Sequence, residues 1–137
     1  MVAMTIDERP APVTVRQGLP PCRIRASGAE IRRIADLPAS VAAAMDAAAG
    51  GVVAEAGQPF HATDIAHRDA PPGVRFLRAY RVRDLWLVWV ERGGIAHRYD
   101  VLGFRGAPHG MVAAVPTNPG RMGLCAASRR LAAAERG

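Results

Sequence analysis

The sequence has no lysine, only seven aromatic residues (two Trp, two Tyr and three Phe) and only two cysteines among its 137 residues. No apolar run approaches the roughly 20 residues that a membrane-spanning helix needs, so we expect no membrane association. The N-terminal stretch carries acidic residues where a signal peptide has a basic end and an apolar centre. These absences predict a soluble, cytoplasmic protein.

The two cysteines, Cys22 and Cys125, lie near opposite ends of the chain and belong to no CxxC motif. In a cytosolic protein a pair so far apart in sequence is more often two free thiols than a disulfide. We therefore expect both cysteines to be reduced. No P-loop, dinucleotide-binding GxGxxG or Ser-His-Asp pattern is present, so the sequence predicts neither a cofactor nor catalytic residues.

All 18 basic residues are arginine, and the formal net charge is +6. Arginine binds phosphate through two parallel hydrogen bonds, which would suit a nucleic-acid-binding protein. The arginines are spread along the chain, however, and acidic neighbours interrupt them, whereas a dedicated nucleic-acid surface clusters its charge. GC-rich coding produces the same composition, and we favour that compositional origin.

The length predicts one domain. Residues 1–21 hold four prolines, which argue against a helix because proline lacks a backbone N–H. We predict a flexible N-terminal arm or an edge strand over 1–21, followed by a single α+β domain over 22–137.

Two alanine-rich stretches predict helices. One helix lies near 38–49, where Pro38 suits the first turn and a Gly-Gly pair follows the last. The other lies near 122–135. The Ser27–Glu30 spacing matches a capping box and predicts a further short helical turn over 28–35.

Six of the seven aromatic residues lie between 74 and 104, in apolar runs separated by Arg83-Asp84 and Gly93-Gly94. Two-residue loops of this kind join antiparallel strands. The stretch therefore predicts an antiparallel β-meander with strands near 74–82, 85–91 and 95–104, plus short flanking strands, one of them at 111–115. The helix near 38–49 is expected to cover one face.

The assumed loops sort side chains onto two faces, since neighbours along a strand alternate. One face is the expected core face: its interior is apolar except for His97, and arginines lie only at its ends (Arg75, Arg81 and Arg92). On the other, Arg78 and Arg98 flank Trp89 in one row. This mixed face has the composition of a protein interface, where Trp, Tyr and Arg are enriched; its candidate binding residues are Phe76, Arg78, Tyr80, Trp89, Arg98 and Phe104. Alternatively, the C-terminal helix or the N-terminal arm of the same chain covers it.

The leading hypothesis is a non-enzymatic interaction protein that self-associates, or binds a protein partner, through the mixed face. The first alternative is a nucleic-acid-binding module in which bases stack on Trp89. The second is a metal-dependent enzyme using His61, Asp64 and His67, which are spaced by three and three and are suitable metal ligands. A small-ligand pocket near His97 is a further possibility.

Overall fold

A five-stranded antiparallel sheet forms the centre of the computed structural model, which describes residues 19–24, 27–59, 73–93, 97–106, 110–117 and 123–134. Each strand pairs with the next along the chain. The strands are β1 (Ser27–Ile31), β2 (Val74–Val82), β3 (Leu85–Arg92), β4 (Arg98–Arg105) and β5 (Gly110–Thr117). The helices are α1 (Ala39–Ala49) and α2 (Gly123–Ala134). The predicted α+β meander with two helices is confirmed.

Helix α1 begins and ends where the sequence predicts. Pro38 precedes it with an extended ψ of 143°, and Gly50 follows it with a left-handed φ of 82°, which glycine adopts without steric cost. Val41 and Met45, one turn apart, are fully buried. They fasten the helix to one face of the sheet.

The helical turn predicted over 28–35 is wrong. Ser27–Ile31 is a strand whose residues pair with β2, and only Ile34–Asp36 forms a short 3-10 turn. A capping box is a local signal, whereas pairing with β2 satisfies the backbone of the whole segment and brings Glu30 within 3.3 Å of Arg78. Tertiary pairing therefore overrides the local preference.

The two hairpins differ in how well they match the prediction. The Arg83-Asp84 loop is confirmed, because Val82 pairs with Leu85. Five residues, not two, separate β3 from β4, so Trp89 pairs with Val101 and Arg92 with Arg98. The predicted pairing of Trp89 with Arg98 is wrong by three positions. An odd shift moves every β4 side chain to the opposite face.

An irregularity in β2 changes the faces a second time. A bulge between Phe76 and Arg78 places Phe76 opposite Val90, so Phe76 and Leu77 project to opposite sides from those predicted. The physical cause is the one extra residue that a bulge inserts into one strand. Alternation counted from the hairpin loop therefore fails beyond the bulge.

Each face of the sheet is covered by a helix of the same chain. The α1-side core consists of Leu37, Val41, Met45, Val53, Val74, Phe76, Ala79, Trp86, Val88, Val90, Leu102 and Phe104. The α2-side core consists of Ile24, Leu77, Tyr80, Val82, Leu85, Leu87, Trp89, Tyr99, Val101, Leu124, Cys125, Ala127 and Ala132. The C-terminal helix is thus the cover for the second face, as one of the two sequence interpretations expected.

Cys22 and Cys125 form a disulfide, with their Cα atoms 5.4 Å apart, so the expectation of two reduced thiols is wrong. The expectation relied on the large separation of the two cysteines in sequence, but segment 19–24 packs beside α2 in the folded protein. Arg129 Nε donates to the carbonyl oxygen of Arg23 at 2.9 Å, and Ile24 lies in the α2-side core.

Within the described residues, no helix has the length and apolar character needed to cross a membrane. Residues 1–18 lie outside the described part of the chain, so the division into an arm over 1–21 and a domain over 22–137 stays a prediction. Leu19 packs against the α2-side core.

Candidate functional site

The predicted mixed face is not an open surface of this chain. Its four aromatic side chains are at most 2% exposed, and two of them lie on each face of the sheet. Phe76 and Phe104 lie in the α1-side core, whereas Tyr80 and Trp89 lie in the α2-side core. The bulge in β2 and the longer loop before β4 cause this division, because each reverses the alternation.

Trp89 is fully buried beneath α2. Its indole N–H donates to Ser128 Oγ at 2.8 Å, and the Tyr80 ring lies 5.4 Å away. The predicted contact with Arg78 does form, with the guanidinium carbon 5.6 Å from the ring centroid. No base can stack on Trp89 while α2 is in place, so the nucleic-acid hypothesis loses its stacking platform in this conformation.

Arg78 and Arg98 have separate roles. Arg78 is partly buried, forms an ion pair with Glu30 at 3.3 Å and donates to the Tyr80 hydroxyl at 3.2 Å. Burial raises the pKa of Tyr80, against an opposing effect from the Arg78 guanidinium. Arg98 lies at the start of β4, where its Nε donates to Asp100 Oδ1 at 2.9 Å. The structure therefore does not bring Arg98 near Trp89.

The candidate metal ligands His61, Asp64 and His67 lie outside the described residues. Across the part of the chain that is described, no three His, Cys, Asp or Glu side chains gather as a metal site would require. The metal-dependent hypothesis therefore stays a prediction.

A buried charge network at one end of the sheet was missed from sequence. Arg75 and Glu91 are at most 2% exposed, and Arg75 Nη2 donates to Glu91 Oε1 at 2.7 Å. The other carboxylate oxygen lies 2.7 Å from His97 Nε2 and accepts from the Tyr99 hydroxyl at 3.3 Å. Arg75 Nη1 also donates to the carbonyl oxygen of Gln58 at 3.2 Å. The hydrogen bond to Glu91 therefore holds the His97 side chain in place.

The sequence signal for this network depends on the bulge in β2. An unbroken register from the Arg83-Asp84 loop would place Arg75 opposite Arg92, two like charges. The bulge places it opposite Glu91 instead. The search for an oppositely charged partner for Arg75 could have revealed the bulge.

An open depression of about 400 Å³ lies at the C-terminal end of α1. It is lined by the last residue of α1, the three residues that follow it, Gly73, the start of β2, and Arg92 and Gly93 at the end of β3. Arg92, the charged residue in its lining, already donates to Asp100 Oδ2 at 2.7 Å. His97 does not line this depression, so the small-ligand pocket predicted near His97 stays a prediction.

The two edges of the sheet differ in their protection. Edge strands present unpaired backbone groups, and proteins commonly shield them with charge, short length, proline or a bulge. Strand β1 has five residues and a bulge, and its Glu30 forms ion pairs with Arg32 and Arg78. Strand β5 has eight residues and none is charged; a bulge and Pro116 protect its two ends but not its middle.

Apolar side chains of β5 face solvent. Met111 is 53% and Val112 is 52% exposed, and Ala114 and Pro116 are exposed as well. Among the described strands, β5 pairs only with β4. The bulge that follows Met111 and Pro116 near the end leave a regular stretch over 113–115. This uncharged outer edge is the candidate functional site.

Comparisons with protein-family models, with curated proteins and with solved structures found no match to this chain. The geometry of the chain is therefore the basis for a functional assignment.

Proposed function

We propose that this protein is a non-enzymatic interaction protein that self-associates by pairing β5 with β5 of a second copy. The observation that carries the proposal is the uncharged edge of β5, with Met111 and Val112 each about half exposed. The sequence hypothesis of self-association is retained, but the proposed interface is this edge and not the mixed face, which α1 and α2 cover. We also keep the cytoplasm as the proposed location.

Backbone geometry supports a second copy as the partner. The outer side of an edge strand offers N–H and C=O groups that another strand can pair with. Two identical strands pair antiparallel about a two-fold axis, and this isologous arrangement closes on itself. Ala114 is the centre of the regular stretch over 113–115, so we place the axis there, with each Ala114 opposite its counterpart.

The charge distribution also favours β5. A net charge of +6 opposes close approach of two copies, but β5 brings no charged side chain of its own to the contact. Arg105 pairs with Gly110 at one end of the strand. An antiparallel arrangement places that end beside the uncharged Thr117 end of the second copy, so the two Arg105 side chains stay apart.

The side chains add apolar area to a short backbone ladder. Met111, Ala114 and Pro116 lie opposite Phe104, Leu102 and Asp100 of β4, on the α1 side of the sheet. Burying a Met or Val completely stabilises by about 1.5–3 kcal/mol, and the half-exposed side chains gain a part of this.

The molar mass in solution tests the proposal by sedimentation equilibrium. We expect a mass of twice the 14.5 kDa of one chain. Ala114→Lys and Ala114→Asp should each be monomeric, because like charges directly opposite each other across two strands are destabilising. An equimolar mixture of the two variants should recover the dimer, since opposite charges then face each other.

Val52→Lys is the matched control, because Val52 is 73% exposed and lies outside the sheet. It adds the same charge and should leave the dimer intact. A monomeric parent chain, or an Ala114→Lys variant that remains dimeric, would show that β5 is not the interface.

A further inference from the structure

Helix α2 is attached to the sheet by few large side chains. Of its buried residues, only Leu124 is large and apolar; the others are Cys125, Ala127, Ser128 and Ala132. Leu131 also packs against the α2-side core but is only partly buried. Ser128 Oγ of α2 accepts a hydrogen bond from the Trp89 indole at 2.8 Å. A helix of 12 residues is marginal in water without such packing.

Segment 19–24 and α2 are joined to each other. The Cys22–Cys125 disulfide connects them covalently, and Arg129 of α2 donates to the Arg23 carbonyl. Ile24 and Leu124 both contribute to the α2-side core. The disulfide therefore holds α2 against a part of the chain 103 residues away in sequence.

We infer that this disulfide is redox-sensitive and holds α2 in place, and that its reduction releases α2 from the α2-side core while the sheet stays folded. Disulfides are rare in cytosolic proteins, and those that occur there are usually transient, catalytic or redox-sensing; at the proposed location this bond would therefore meet reductants. The inference goes beyond self-association and does not depend on it, since β5 pairs through its outer edge.

The reductant is a dithiol, and the exchange balances without another reactant. One thiolate attacks the sulfur of Cys22, the more exposed cysteine, and Cys125 leaves as a thiolate that takes a proton. The second thiol of the reagent then attacks the mixed disulfide and releases Cys22 as a thiol. Two electrons pass to the protein, and the reagent becomes a cyclic disulfide.

Release of α2 has a defined structural consequence. Trp89 loses its hydrogen bond to Ser128, and water reaches the side chains of Tyr80 and Leu87 beside it. Strands β2, β3 and β4 keep their ladders and the α1-side core. Regions with few buried apolar contacts open at lower free energy than the core of a sheet, so α2 should open first.

Hydrogen–deuterium exchange of the full chain, with and without dithiothreitol, tests the inference. We expect amides of 123–134 to exchange at least about tenfold faster after reduction, a change of about 1.4 kcal/mol, while amides of β3 stay protected. In a Trp86→Phe background, the emission of Trp89 should shift to longer wavelength on reduction.

The double variant Cys22→Ser/Cys125→Ser is the control for the reagent. It should resemble the reduced protein and should not respond to dithiothreitol. Equal protection of α2 in the oxidised and reduced protein would overturn the inference. Loss of β3 protection together with that of α2 would overturn it too, because the disulfide would then hold the whole fold and not the helix.

Discussion

At the scale of single residues, Glu91 is a charged side chain held almost entirely away from water. Its carboxylate is almost fully buried and contacts Arg75, His97 and Tyr99. A buried charge is tolerated only when it is paired and hydrogen-bonded. Glu91 supplies the counter-charge for Arg75, which is also fully buried.

Glu91→Gln should therefore lower the free energy of unfolding by about 3–5 kcal/mol, because it removes the carboxylate charge that pairs with the buried Arg75 guanidinium. Urea denaturation near pH 7 measures the change. Glu30→Gln is the matched control: Glu30 also pairs with arginines, but its side chain is 35% exposed, and exposed pairs contribute about 1 kcal/mol or less. Equal losses in the two variants would contradict this account.

At the scale of elements, what the sequence predicts well are the segments that have local signals. Pro38 and the Gly-Gly pair mark the ends of α1, and Arg83-Asp84 interrupts an otherwise continuous apolar run. Gly93-Gly94 fits a two-residue turn as well as it fits the start of a five-residue loop, because Ile95 and Ala96 are apolar enough to continue a strand. Local signals therefore locate β4 but cannot determine its register.

The candidate site could not be predicted from the sequence either, because local signals do not determine how strands pair. The run at 111–115 predicts a strand, but nothing local says that it lies at the edge of the sheet. Similarly, the composition of residues 76–104 identifies aromatic strands without showing which face α2 covers. Pairings between distant segments decide these points, and the Cys22–Cys125 bond is another of them.

Helix α1 offers a test of packing at the element scale. Met45 is fully buried in the α1-side core, so Met45→Ala should lower the free energy of unfolding by about 2–5 kcal/mol through lost apolar burial and the cavity left behind. Ala43→Gly, at an exposed position of the same helix, should cost only about 1 kcal/mol through helix propensity. Chemical denaturation compares the two, and a larger loss for Ala43→Gly would mean that α1 is held by propensity and not by packing.

At the scale of the whole molecule, the described helices cover both faces of the sheet. A further strand can therefore be added only at an edge, beside β1 or beside β5. Strand β1 is short and charged at Glu30, whereas β5 is longer and uncharged. In the proposed dimer, pairing at β5 alone joins two copies and then stops, because the remaining edges are the two protected β1 strands. The proposal therefore predicts a closed dimer and not an open polymer.

A dimer joined at β5 makes thermal stability depend on protein concentration, because unfolding then separates two chains. Each tenfold rise in concentration should stabilise the dimer by about 1.4 kcal/mol, or about 0.7 kcal/mol per chain, and raise the midpoint temperature by about 2–4 °C. Scanning calorimetry over a hundredfold concentration range measures this shift. Ala114→Lys should melt at a temperature that does not change with concentration, and Val52→Lys should follow the parent chain. A parent midpoint that stays constant over that range would rule out coupling between association and folding. It would then follow that β5 does not pair with a second copy.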